Sequence, residues 1–162
     1  MKTLKPATLF FAVALFALFS SCEKVCIWSD CDDNEEKNII SKTGLPLSGS
    51  QEVPVRNTPA SGTMNVSYNK ITHILTYKIT WDSLTANPVG SHIHGTAPKG
   101  VNAGIKHDFT ALLPKTTSGS FTNSVVVDNM AIKEDSLLTG FYYINIHTPT
   151  YPGGEIRGQI EF

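Results

Sequence analysis

Between Thr63 and Trp81 apolar and polar residues alternate, the repeat that turns one side of an extended chain toward a core and the other toward water. Met64, Val66 and Tyr68 share one face, Asn69-Lys70 supplies a turn, and Leu75, Tyr77, Ile79 and Trp81 share a face of the segment His73 to Trp81. Their β-branched and aromatic side chains suit a pleated surface, so the pair predicts a β-hairpin. Further strands are expected at Pro46 to Val53, Val89 to His94, Gly119 to Val127, Phe141 to His147 and Glu155 to Phe162. Only Ala131 to Thr139 reads as a short helical turn. Proline and glycine punctuate the joins, as at Asn87-Pro88, Ala97-Pro98-Lys99-Gly100 and Pro152-Gly153-Gly154. About seven to eight short strands so spaced predict an all-β fold, either an antiparallel β-sandwich or a Greek-key barrel. Gly158, inside the last strand, is expected to mark a bulge or the close approach of a neighbouring side chain such as an imidazole or aromatic ring.

The same alternation sorts out the residues with chemistry. In Ser91-His92-Ile93-His94-Gly95 the two histidines project together while Ile93 points away, and in Ile144-Asn145-Ile146-His147 the polar pair opposes the isoleucines. If these strands are neighbours, His92, His94 and His147 share a polar patch. Three neutral imidazoles from two strands can hold zinc or copper, and His-x-His on a strand resembles the copper-binding strand of Cu/Zn superoxide dismutases. The competing reading, which the sequence favours, is a structural polar cluster. In it the imidazoles satisfy backbone groups of the loops from Gly95 to Ile105 and from Thr148 to Gly154, beside Asn145, and Arg157 pairs with Glu52 or Glu155. Nothing ties His73 or His107 to the patch. Ser91 and His92 are adjacent and so point apart on a strand, and no catalytic triad, phosphate-cradling loop or dinucleotide fingerprint occurs; the chain is read as a non-enzyme.

The N-terminal region carries a different signal. Met1-Lys2-Thr3-Leu4-Lys5 is basic, Ala7 to Phe19 is almost wholly apolar, and Ser20-Ser21-Cys22 follows. This reads as a bacterial lipoprotein signal peptide over residues 1–21, with Cys22 lipidated after cleavage. Acyl chains contribute about 0.8 kcal/mol per buried methylene, so several anchor a protein without a spanning helix. Cys26 and Cys31 either close a small disulfide loop, as oxidising surroundings allow, or remain free. Asp30, Asp32, Asp33, Glu35 and Glu36 make a solvated stretch, and residues 22–44 are expected to form a flexible acidic tether ahead of one domain at 45–162. Of 13 Lys and Arg, Lys2 and Lys5 leave with the signal, so 11 face 14 Asp and Glu, a net charge of −3. That balance argues against nucleic acid as a partner. The expected setting is a bacterial cell envelope, as an outer-membrane lipoprotein facing either side.

Several ordered blocks carry a family likeness: Gly49-Ser50-Gln51-Glu52-Val53-Pro54-Val55, Pro59-Ala60-Ser61-Gly62-Thr63, His92-Ile93-His94-Gly95 with Ala97-Pro98, Asn145-Ile146-His147-Thr148, and Pro152 to Ile160. Together, from about Leu45 to Phe162, they resemble the CHRD domain, named after chordin and widespread in bacterial secreted proteins. The resemblance implies a compact all-β extracellular module and matches the family's positions His92, His94, His147 and Glu155-Ile156-Arg157. It brings no catalytic residues. In chordin these modules belong to an antagonist of bone morphogenetic proteins, a role that does not transfer with the fold. The resulting expectation is an exported, lipid-anchored module with a binding or structural role toward a protein or glycan; the alternative is a small zinc- or copper-binding envelope protein.

Overall fold

The computed structural model describes residues 37–162. The signal segment, Cys22, Cys26, Cys31 and the acids from Asp30 to Glu36 lie outside the described residues. Eight strands form one curled, barrel-like sheet: β1 (Ile39–Ser48), β2 (Ser61–Asn69), β3 (Ile74–Asp82), β4 (Gly90–Gly95), β5 (Ile105–Asp108), β6 (Gly119–Val126), β7 (Tyr142–His147) and β8 (Ile156–Gln159). They lie in the order β5-β4-β7-β8-β1-β2-β3-β6, with every pairing antiparallel. The all-β expectation holds, in its barrel form. A helix of one turn, Glu134–Leu138, sits within the expected helical stretch. Among the described residues no helix is long and apolar enough to cross a membrane.

The hairpin forms as its alternation dictates. Met64, Val66 and Tyr68 of β2 and Leu75, Tyr77, Ile79 and Trp81 of β3 are buried, while the residues between them face outward. Ile93, Ile144, Ile146 and Ile156 carry the core across β4, β7 and β8. Fully burying each such side chain contributes about 1.5–3 kcal/mol. The terminal strands β5 and β6 approach through side chains: Phe109, just past β5, stacks on Phe121 of β6 at 5.9 Å and packs against Tyr77 at 5.3 Å.

Two strands depart from expectation. β1 starts at Ile39, ahead of Leu45, and ends at Ser48, where a 3-10 turn at Gly49–Gln51 replaces the strand expected to run on to Val53. Its first half is mostly exposed and shows no clean alternation. It is recruited by backbone pairing with β2, interrupted by a register shift between Lys42 and Leu45. β5 was not expected at all; most of its four residues are exposed, and pairing with β4 defines it.

Gly158 does mark a close approach, but of the neighbouring strand and not of a ring. A Cβ there would lie 2.7 Å from the Pro46 carbonyl oxygen and 3.1 Å from Leu47 Cγ. Backbone cannot yield as a side-chain tip can, so Gly158→Ala is expected to cost about 1–3 kcal/mol in urea unfolding. Gly104→Ala, where nothing lies within 4 Å of the added methyl, is expected to be neutral. Equal midpoints for the two variants would contradict this packing.

Candidate metal centre

The inner face of β4, β7 and β8 is apolar apart from the buried Ser91, yet the outer face is largely buried as well, under the loops Gly49 to Arg56, Thr96 to Gly104 and Thr148 to Glu155. Register decides what meets there. His92 lies opposite Asn145, which lies opposite Arg157; His94 lies opposite Tyr143, which lies opposite Gln159. His147 enters from the end of β7, opposite Gly90. One ring nitrogen from each of His92, His94 and His147 falls within 4.8 Å of the other two.

Each imidazole is held by its other nitrogen. His94 Nδ1 lies 2.9 Å from the Ala103 carbonyl and His147 Nδ1 lies 2.9 Å from the Pro152 carbonyl. A carbonyl only accepts, so both Nδ1 atoms carry the proton, and in the neutral rings both Nε2 atoms are bare. His92 Nε2 faces Asp108 Oδ1 at 3.7 Å and Thr110 Oγ1 at 3.5 Å. Since His147 Nε2 is bare, the 3.0 Å contact to it from His92 Nδ1 is a hydrogen bond in which the His92 N–H donates. His94 Nε2 is buried with no hydrogen-bond partner. Asn145 Oδ1 lies 2.9 Å from His147 Nε2. Three ring nitrogens and an amide oxygen thus gather around one point.

A tetrahedral zinc with bonds of about 2.0–2.1 Å would separate its nitrogens by about 3.4 Å. The observed spread brackets that separation, so small ring rotations complete the set. Anchoring of the distal nitrogens of His94 and His147 by backbone carbonyls is the outer-shell pattern that orients metal-binding imidazoles. His92 and His94 meet edge-on at 5.4 Å, His92 and His147 at 4.8 Å. Burial, with His147 close by, pulls His92 down to about 4, and burial likewise lowers His94 and His147.

The other polar residues divide. Glu155, fully buried, accepts from Thr58 Oγ1 at 2.6 Å, Thr148 Oγ1 at 2.7 Å and Thr85 through both N and Oγ1 at 3.0 Å. Its carboxylate is saturated and ties three loops together. Arg157 therefore does not pair with Glu155. It donates to the Val101 carbonyl at 3.0 Å and to Asn102 Oδ1 at 3.3 Å, and lies 3.4 Å over the Tyr143 ring. Glu52 is near enough to Arg157 and Arg56 to feel both, but burial outweighs them and raises its carboxyl to about 7. Gly154 (φ +115°) passes so close to Glu52 and Asn145 that a side chain there would strike both.

His73 and His107 stay outside the cluster. His73 Nδ1 meets Tyr68 Oη at 3.0 Å by the β2–β3 turn, and His107, paired with Ile93, stacks on Phe109. Sequence reading missed Asp108, Thr110 and Tyr143. The first two follow from the unexpected strand β5. Tyr143 had a signal, since it shares a face with Asn145 and His147 by the same alternation.

A family model described as the CHRD domain matches residues 44–160. No curated protein and no solved structure matches the chain.

The unfolded imidazole keeps its ordinary 6.5 while His92 in the fold stands at about 4. Between those values the unfolded chain binds more protons, so this residue's contribution is intact above pH 6.5 and is lost as pH falls toward 4. The loss is on the order of 2–3 kcal/mol. Glu52, raised, acts in the opposite sense over part of that range, so the measurement is a difference. His92→Gln in metal-free protein is expected to lose less stability than the parent between pH 7 and pH 4.5 in urea titrations. Parallel pH profiles would refute this.

Proposed function

The chain belongs to the CHRD domain family, and from that premise we propose that this β module is a metal-binding domain, holding one zinc or copper ion through His92 Nδ1, His94 Nε2 and His147 Nε2. One observation carries the reading: one ring nitrogen from each of three histidines lies within 4.8 Å of the other two, His94 and His147 are pinned from behind by backbone carbonyls, and His94 Nε2 is buried and unpartnered. Buried polar atoms ordinarily find partners. A hydrogen-bonded cluster accounts for Glu155, Arg157 and the His92–His147 contact, and leaves His94 Nε2 with nothing to bind. A cation among the three ring nitrogens gives it a partner, with the His92 proton then carried on Nε2 toward Asp108 and Thr110. Imidazole donors suit both zinc and copper, and divalent copper is the tighter of the two at a given nitrogen site.

The same reading makes the module an exported protein tethered at the cell envelope. It rests on the basic and apolar segment of residues 1–21 ending at Ser21-Cys22 and on the acidic stretch that follows. An imidazole site outside the cytosol would meet metal before the cell's internal buffers do.

Isothermal titration of the chelator-treated mature chain is expected to give one zinc or copper ion per chain. At free metal 100-fold above Kd the fold gains about 2.7 kcal/mol. His94→Ala is expected to abolish both effects, whereas His73→Ala, remote from the triad, retains them. Metal uptake indifferent to His92, His94 and His147 would overturn the assignment. For the tether, Cys22→Ala is expected to leave an unprocessed precursor or release the protein from membranes; unchanged processing and fractionation would remove that part of the reading.

A further inference from the structure

The triad has a closed side and an open side. Behind it stand Asn145, Tyr143 and Arg157, all buried. In front, the three histidines line a pocket of about 410 Å³ with Val89, Gly90, Ile105, Asp108, Thr110 and Pro152. The set supplies three imidazoles, and catalytic-type zinc sites are those in which three protein ligands leave one position for an exogenous group.

The charges around the site say which kind of group belongs there. Three neutral imidazoles leave a dication's charge uncompensated. A further positive charge lies behind: the Arg157 guanidinium is 3.4 Å over Tyr143, whose ring stacks on His94 with centroids 4.8 Å apart and planes within 4°. No carboxylate ligates. Asp108 addresses the outer nitrogen of His92, its Oδ1 already accepting from Thr110 N at 2.8 Å, and its side chain is 60% exposed. Glu52 is separated from the ring nitrogens by Asn145. Opposite charge within a few ångströms in a partly dry site is worth far more than in water, and a bound ion inverts the local preference of its surroundings.

We infer that the loaded centre is an anion-binding site: the ion's open position takes a small monodentate anion with an oxygen or nitrogen donor, such as a carboxylate, entering from the pocket between Val89 and Ile105. This rests on the metal reading above and adds to it that the centre exchanges ligands with solvent and is not a closed structural site. The rival arrangement is Asn145 Oδ1 as the fourth ligand, which would seal the ion in.

The test uses the mature chain loaded with cobalt(II), whose visible bands report coordination, titrated first with azide and then with azide in the presence of acetate. The expected result is a saturable shift of the bands on adding azide, with half-saturation moved to higher azide by acetate. Cobalt bands that His94→Ala removes but that azide leaves unchanged would overturn the anion site while leaving the metal site standing. Failure of cobalt, zinc and copper alike to bind would overturn both. A response to azide that acetate does not displace would overturn the carboxylate class.

Discussion

Everything at the site follows from one constraint: the sheet formed by β4, β7 and β8 is largely buried on both faces, but only one of them is lined mainly by apolar side chains. The inner isoleucines need nothing but contact. On the outer face the groups covered by the loops, Tyr143, Asn145, Arg157 and Gln159 among them, must each find a partner without help from bulk water, while His92 and His147 reach the pocket. Antiparallel register then settles who can reach whom. Because His92, Asn145 and Arg157 lie across from one another, as do His94, Tyr143 and Gln159, the outer face becomes a grid of polar and aromatic groups at strand spacing.

Within that grid the labour is divided. Glu155 gathers four donors from Thr58, Thr85 and Thr148 and so ties the covering loop Thr148 to Glu155 to the chain around Thr58 and Thr85. Arg157 satisfies the loop bearing Val101 and Asn102. Those loops in turn lend the Ala103 and Pro152 carbonyls that set the tautomers of His94 and His147. The saturated polar groups hold still the rings beside them, the preorganisation that the proposed metal site calls for.

Much of the fold was legible because its information is periodic. Alternation in Thr63 to Trp81 marks a half-buried hairpin whatever it packs against, and the same rule put His92 with His94 and Asn145 with His147. Where alternation fades, so does the reading. β1 begins in an exposed stretch recruited by backbone pairing, and β5 is defined by pairing with β4. Backbone hydrogen bonds are indifferent to side-chain identity, so strands recruited that way leave little trace in the order of residues. Gly158 was conspicuous in the chain, yet only the packed neighbour shows why it is glycine: the Pro46 carbonyl fills the space.

By itself, then, the sequence determined the fold class, the residues lining the interior and the three histidines that share a polar side, because each depends on spacing within a few residues. Tertiary structure decided that β4 and β7 are direct neighbours, that Ala103 and Pro152 turn their carbonyls onto the rings, and that Arg157 lies over Tyr143 and not against Glu155. Those contacts depend on strand order and on the path of the loops between neighbouring strands, and the partners of the rings are backbone carbonyls that every residue possesses. Which nitrogen of His94 and of His147 is left bare was therefore written in the packing and not in the side chains themselves.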